Sequence, residues 1–521
     1  MTHHPPNKQT LRSDVNVIST NPTTGEQRTT DSVETSREAL DHVCSLAALA
    51  AAELATRPLS WRASMLDAIA DALEAVGPAI VATADEETGL GEGRLTGELR
   101  RTCFQFRFFA GVVRDGGFLE ASIDHPYESP MGPLPDLRRQ LEPLGAVGVF
   151  GASNFPLAFS VPGGDTASAL AAGCPVVIKA HPAHPLTSRV TFEAMRQGAD
   201  SVGAPAGTLA LVFGFDAGIA LVEHHDVAAV GFTGSYGAGR SLFDRAQARA
   251  VPIPFYGELG SVNPLVVTPA AAADRASTIG EGMVGSVTLG SGQFCTKPGL
   301  LFVPSSPDGD AVVASAVDAL GKGAGATMLT TGIRDRFEEG VASLERVPGL
   351  RLLATSGRSG ASAGSFAALF EATCEMATTS HAALTTEYFG AVAIIVRYET
   401  IEEVLATIAL LEPALTFTVQ VGVDDPDASR LLAAGRAKAG RVIVNAYPTG
   451  VGVSWSMHHG GPLPAATSSL HTSVGATAIR RWLRPVSYQG VPEVWLPETL
   501  HDANPLGIPQ RIDGVLRPAT H

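Results

Sequence analysis

Short apolar runs alternate with longer amphipathic stretches through the middle of the chain. Residues 146–150, 175–179, 209–213, 228–232 and 254–258 are near-continuous apolar runs of strand length. Between them lie segments of helical length at 157–172, 185–197, 217–224 and 239–248. Strands apolar on both faces and separated by helices predict a parallel sheet covered on both sides. Such a sheet binds ligands beyond the carboxyl ends of its strands, so the loops after Phe150, Lys179, Phe213, Phe232 and Glu258 carry the interest. Upstream the texture is helical. Residues 40–55 are Ala-rich, 61–76 repeat apolar positions at helical spacing, and 99–113 carry Phe104, Phe106, Phe108 and Phe109, an aromatic stripe that core packing explains. A second αβ series follows, with helical segments near 270–287 and 310–320 and apolar runs at 300–303, 392–396, 417–421 and 442–445. From His471 onward frequent prolines predict an extended edge strand and a wrapping arm.

Composition narrows the class. Hydrophobic residues make 45% of the 521, enough to exclude wholesale disorder. Lys and Arg total 37 against 52 Asp and Glu, a net charge of −15. That balance argues against nucleic acid as a partner, and against an anionic membrane surface. No unbroken apolar stretch reaches the roughly 20 residues of a membrane span, and the first residues lack the apolar core of a signal peptide. Five cysteines without a C-x-x-C pair read as reduced thiols in a cytoplasmic protein.

A few positions carry chemistry. Cys295 lies among Gly290, Gly292 and Gly299, at a helix-to-strand junction where backbones approach closely. A thiolate there would be a strong nucleophile if a neighbouring base or dipole lowers its pKa. Glu258 ends an apolar strand between Gly257 and Gly260. Burial would push its carboxyl up and make it a general base near neutral pH, or it caps a backbone turn. Asn154 follows the first strand, and its amide can donate to a developing oxyanion or form an Asx-turn before Pro156. Lys179 stands at the lip of the sheet, where a cation meets a ribose or phosphate. The loop Gly231 to Arg240, with Thr233, Gly234 and Ser235, opens a helix and suits a pyrophosphate. Glu387 and Phe389 precede an apolar strand. The pair His458-His459 lacks a spaced third ligand, so no metal site is expected.

In order along nearly the whole chain, Ser153-Asn-Phe-Pro156, Ile178-Lys179, Phe232-Thr-Gly-Ser235, Glu258-Leu-Gly260, Gly292-Gln-Phe-Cys295 and Glu387-Tyr-Phe-Gly390 resemble the aldehyde dehydrogenase superfamily. Within it, the stretches 151–188, 293–299 and 478–486 are most similar to the 2,5-dioxovalerate (α-ketoglutarate semialdehyde) dehydrogenase group and the related NADP-dependent fatty aldehyde dehydrogenase. The resemblance implies an α/β fold of the aldehyde dehydrogenase type. A Rossmann-type parallel-sheet cofactor domain would occupy 21–125 and 143–260, after a flexible arm over 1–20. A second α/β catalytic domain would span 261–460. An oligomerisation segment and C-terminal arm would take 126–142 and 470–521, making a homodimer or homotetramer.

The resemblance also implies roles. Cys295 attacks the aldehyde, Asn154 holds the oxyanion, and Glu258 activates the water that hydrolyses the thioester. Lys179 holds the adenosine ribose, Thr233, Gly234 and Ser235 the pyrophosphate, and Glu387 with Phe389 the nicotinamide ribose. Phe155 and Phe294 line the substrate tunnel. The acid that NAD-preferring members carry three residues after the lysine is here Pro182, which with His181 points to NADP, NAD being the alternative; Asp216 would oppose a 2′-phosphate. A substrate carboxylate needs a cation, for which Arg107 and Arg114 are the candidates. A CoA-acylating enzyme would not need Glu258.

Overall fold

The computed structural model describes residues 15–519. Five all-parallel strands form the first sheet, in the order Phe255–Glu258, Val227–Thr233, Ala146–Phe150, Val176–Lys179, Leu209–Val212. Their runs are buried on both faces because helices cover both. One face packs Arg37–Thr56, Phe215–Glu223 and Tyr236–Gln247. The other packs Leu59–Ala75, Glu92–Asp115, Gly164–Ala172 and Pro185–Ser201. Phe106 and Phe109 lie in that core, whereas Phe104 of the same aromatic stripe is exposed. The helix Arg37–Thr56 is long and apolar enough, by length and composition, to cross a membrane, although Glu38, Asp41 and Glu53 interrupt its apolar run. Its Leu40, Cys44 and Ala47 pack on the sheet, and the buried Ala50 and Leu54 continue the stripe of an Ala-rich amphipathic helix.

The second sheet has seven strands. Its order is Arg351–Thr355, Ala368–Thr373, Val392–Tyr398, Leu300–Pro304, Pro264–Val267, Ala414–Gln420, Ala439–Val444, parallel except for the first pair. Its helices start at side-chain caps: Thr268, Ser306, Thr330 and Thr400 each accept a backbone N–H of the first turn.

Three expectations change. Residues 1–14 of the predicted arm lie outside the described residues, but Asn16–Thr20 is a strand paired with Gln27–Val33. The helix predicted at 157–172 begins only at Gly164, because Pro162 cannot donate and Gly163 is packed where a Cβ would meet the Ser160 backbone at 2.8 Å. The freed chain, 151–163, is the loop that carries Asn154. Finally, the tail is not simply an arm. Trp482 is fully buried and donates to Ser168 (2.8 Å), and Arg481 pairs with Asp165 (2.7 Å). Only then does Leu483–Gln489 form the edge of a third sheet, beside Leu137–Pro143 and Ser122–Asp124.

Candidate active site

The two sheets meet where the helix Pro269–Thr288 gives way to the thiol loop. The turn has positive φ at Gly290 (55°), Ser291 (59°) and Gly292 (68°). A side chain at 292 would run into the backbone of Gly390 and Ala391, so glycine is required there. Cys295 emerges half-buried. Its carbonyl accepts from Asn263 Nδ2 (2.7 Å), which also reaches the Lys297 carbonyl (3.1 Å). Asn263 Oδ1 accepts from the Thr416 N–H (3.1 Å), which ties the loop to the second sheet. Nothing in the linear sequence marks Asn263 except that an Asn precedes Pro264.

Glu258 ends its strand as expected and is 4% exposed. Its Oε1 is 2.8 Å from His459 Nε2, and Oε2 accepts from Ser473 Oγ. The same His459 Nε2 is 3.6 Å from Cys295 Sγ. His459, fully buried, therefore contacts both thiol and carboxylate, which also lie in hydrogen-bond reach of each other. This corrects the view of His458-His459 as lacking partners. Donor atoms of Glu258, Cys295 and His459 lie within 4.8 Å of one another, a set able to hold a metal ion as well as to move a proton.

The electrostatics also differ from expectation. Burial alone would push Glu258 up, but His459 and the hydroxyl of Ser473 outweigh it and hold the carboxyl below its usual range. Cys295 moves the other way. Burial, then the charges of Glu258 and Glu387, push the thiol well up. The resting site thus holds a protonated sulfur beside an ionised carboxylate, and the sulfur must lose its proton to a neighbour before attack.

Asn154 is buried, and its Nδ2 donates to the Gln293 carbonyl at 2.8 Å, within the thiol loop. An amide donor so placed is at hand for an oxyanion beside Cys295. Phe155 and Phe294 stack edge to face at 5.1 Å, and Phe155 meets Phe159 at 5.2 Å. These three rings pack together as one apolar cluster beside the thiol loop.

Arg107 and Arg114 are not part of it. Arg107 is bound to Asp71 and Glu74 (2.6 Å each), and Arg114 to Asp67 (2.5 Å), all on the outside of the helix pair. The arginines that do reach these rings are Arg94 and Arg101 of the same helix. Arg94 lies over Phe155 (5.1 Å) and Phe294 (5.2 Å), and donates to the Asn154 carbonyl at 2.6 Å. Arg101 lies over Phe159 at 5.3 Å. Helical phase contains the signal: seven residues bring Arg94 and Arg101 to one face, whereas Arg107 and Arg114 stand roughly 120–160° around it.

The residues expected to hold a dinucleotide lie at the carboxyl ends of the first sheet and just beyond it. Ser235 is the N-cap of Tyr236–Gln247 and its hydroxyl makes no cap bond, leaving the first N–H groups of the helix free for a phosphate. Thr233 and Gly234 close the preceding strand, and the Gly234 N–H donates to the Glu258 carbonyl (3.1 Å). Lys179 ends its strand as expected, and burial lowers it to about 8. Glu387 lies against Gly260, where a Cβ would overlap its carboxylate. Burial raises Glu387 to about 7, opposed by Lys297 and the Ser261 backbone. Phe389 is half-buried two residues on. His181 departs from its expected cationic role. It stacks on His184 at 5.4 Å, and burial with the charges of His184 and Lys179 pushes it well down, so its ring is neutral. Glu34, unmarked by any sequence signal, lies across Gly214 and acts electrostatically on Lys179.

Comparisons with known proteins agree with this geometry. The model of the aldehyde dehydrogenase family matches residues 10–485. The chain is 48% identical over 480 residues to alpha-ketoglutaric semialdehyde dehydrogenase 2 of Azospirillum brasilense, covering 91% of each chain. It is 41% identical over 458 residues to alpha-ketoglutaric semialdehyde dehydrogenase of Acinetobacter baylyi, covering 87% of each. Among solved structures, aldehyde dehydrogenase 21 of Physcomitrella patens, in complex with the reaction product succinate, superposes with a TM-score of 0.78 at 20% identity, covering 93% of this chain and 97% of that one. PnpE in complex with nicotinamide adenine dinucleotide gives 0.77 at 22% identity, covering 94% and 96%. With thiol, carboxylate and amide brought together at one site, and a family match across most of its length, the chain belongs to the aldehyde dehydrogenase family.

Proposed function

We propose that the protein oxidises α-ketoglutarate semialdehyde to 2-oxoglutarate with NAD(P), through a thioester on Cys295. The observation that carries this is the Sγ–Nε2–Oε1 line, 3.6 Å from Cys295 to His459 and 2.8 Å from His459 to Glu258. His459 Nε2 takes the thiol proton, so Glu258 stays ionised for the later hydrolytic step. The sulfur then adds to the aldehyde carbon, and Asn154 Nδ2 turns from the Gln293 carbonyl toward the new oxyanion, a contact worth about 2.7–4 kcal/mol. A dinucleotide held by Lys179, Thr233, Ser235 and Glu387 supplies the electron acceptor when bound. Glu258, ionised at neutral pH, next draws a proton from water, and that water cleaves the thioester. A CoA acceptor would not need this base.

The names of the relatives from Azospirillum and Acinetobacter support the substrate. So does the cationic lining: a fatty aldehyde would favour an apolar wall without Arg94 and Arg101. Charges at the ribose lip support use of both dinucleotides. Pro182 removes one acid, which favours NADP, but the neutral His181 offers no cation and Glu34 adds a negative charge. The exposed edge of Leu483–Gln489 supports a homodimer or homotetramer. The free cysteines support a reducing, cytoplasmic setting.

Turnover of a panel containing α-ketoglutarate semialdehyde, pentanal and a long-chain aldehyde, each with NAD and NADP, tests the reading. Greater kcat/KM on the long-chain aldehyde overturns the substrate. Cys295→Ala should abolish oxidation and keep cofactor binding, and full turnover by that variant overturns the mechanism.

A further inference from the structure

The loop 151–163 that carries Asn154 is held from one helix. Within the loop, the Ala152 N–H donates to the Phe159 carbonyl (2.9 Å) and the Phe159 N–H to the Phe155 carbonyl (3.3 Å). The N–H groups of Leu157 and Ala158 end instead on a side chain, Glu98 Oε1, at 2.9 Å each. Both residues are fully buried, so water cannot take the place of that acceptor. Two more residues of the helix Glu92–Asp115 grip the same backbone. Arg94 Nη2 donates to the Asn154 carbonyl (2.6 Å), and Gln105 Nε2 to the Ala158 carbonyl (3.2 Å). At about 100° per residue, positions 94, 98 and 105 fall within about 40° of one another, so a single stripe of the helix holds the loop.

Glu98 is the unusual member of that stripe. It is buried, and its Oε2 has no hydrogen-bond partner among the described residues. Burial pushes its carboxyl up, opposed by the charge of Arg94, the two loop N–H groups and the charge of Arg101. Arg94 and Arg101 flank it one turn away on either side, yet neither bonds to Oε2. The hydrogen bonds of this carboxylate therefore go to the loop. Packing helix against loop needs no buried charge, which is destabilising by itself. Holding two adjacent N–H groups in place does need an acceptor of this kind. Those N–H groups lie three and four residues beyond Asn154, and Pro156, with its fixed φ, stands between. A shift at Leu157 is thus passed on to Asn154, whose Nδ2 reaches the thiol loop at the Gln293 carbonyl.

We propose that Glu98 is a positioning residue for the oxyanion donor: by holding the Leu157 and Ala158 N–H groups it keeps the Asn154 amide beside Cys295. This rests on the proposed thioester route and goes beyond it by assigning a buried acid of the helix layer to the first half-reaction.

The test is a double-mutant cycle on the full chain. Wild type, Glu98→Met, Glu98→Gln and Glu98→Asp are compared, each with Asn154 and with Asn154→Ala. The readout is the first turnover, followed as reduced cofactor at saturating concentration of the best aldehyde in the panel above. Alkylation of Cys295 by iodoacetamide, which builds no oxyanion, is the second readout. In wild type Asn154→Ala should slow the first turnover about 100-fold. Glu98→Met should slow it roughly 10- to 30-fold, and in that background Asn154→Ala should cost less than about tenfold more. Alkylation should stay within about threefold of wild type. Glu98→Gln keeps an oxygen for the two N–H groups and should recover to within about fivefold of wild type. Glu98→Asp, one methylene short, should show the same coupling with a smaller loss. A 100-fold cost of Asn154→Ala in every background, alkylation that falls as far as oxidation, or a Gln variant as slow as Met overturns the positioning role. If Glu98→Met does not fold, the Asp variant decides by the same criteria. If Asn154→Ala costs wild type less than about threefold, the oxyanion reading fails and this one with it. A full Asn154 effect that no Glu98 variant alters overturns this one alone.

Discussion

Replacing His459 by Gln removes the imidazole nitrogen that contacts both sulfur and carboxylate while keeping a side chain of similar bulk. Its backbone N–H to Thr472 Oγ1 (2.7 Å) survives the change, so the loop keeps its anchor. The thiol is pushed up by burial and by nearby acids, so little of it ionises unaided. An ordinary thiol of pKa about 8.5 is roughly 10% ionised at pH 7.5, and each further unit removes about a factor of ten. A positioned base typically restores 10²–10⁴-fold, so loss of about 10²–10³-fold in the first half-reaction is expected, about 2.7–4 kcal/mol. The assay is the pre-steady-state burst of reduced cofactor. In H459Q the burst should slow by that factor and recover as pH rises from 7 to 9, since solvent then deprotonates the sulfur. In Glu258→Gln the burst should persist while steady turnover fails, because the base is missing only from hydrolysis. A second sign follows. His459 holds Glu258 down, so without it burial pushes the carboxyl up and the acid limb of hydrolysis moves to higher pH. A burst in H459Q within threefold of wild type would refute the shuttle.

Asn263→Ala should cost about 2–4 kcal/mol in urea unfolding, because it strands the Cys295 and Lys297 carbonyls and places Ala at φ 53°; an unchanged midpoint would contradict the pinning role. Glu387 titrates at about 7, so between pH 8 and 6 its carboxylate falls from roughly 90% to 10%. Cofactor Kd should therefore rise several-fold over that interval in wild type and stay flat in Glu387→Gln, as titration of dinucleotide binding will show. Glu34→Gln should raise the NADP-to-NAD ratio of kcat/KM by about fivefold, the effect of removing about 1 kcal/mol of repulsion; a ratio that does not move would separate Glu34 from the ribose site.

The local pattern of the chain determined the first sheet almost strand for strand, and with it the ends of Ala146–Phe150, Val176–Lys179, Val227–Thr233 and Phe255–Glu258 that carry the site. Period and burial are local properties, so they can be read in a line. The same holds for Cys295, whose glycines record a backbone that must pass close to another. Only tertiary structure decided what surrounds these groups. His459 reaches Cys295 across 164 residues, and Ser473 reaches Glu258 across 215. No local pattern distinguishes such a His or Ser from an ordinary loop residue, because its chemistry arises only when two sheets close on one cleft. The protonation states follow the same rule. Burial alone suggested a raised Glu258 and left room for a lowered Cys295. The packed site reverses both, since a carboxylate's pKa depends on the imidazole and hydroxyl folded against it, and a thiol's on the carboxylates it faces.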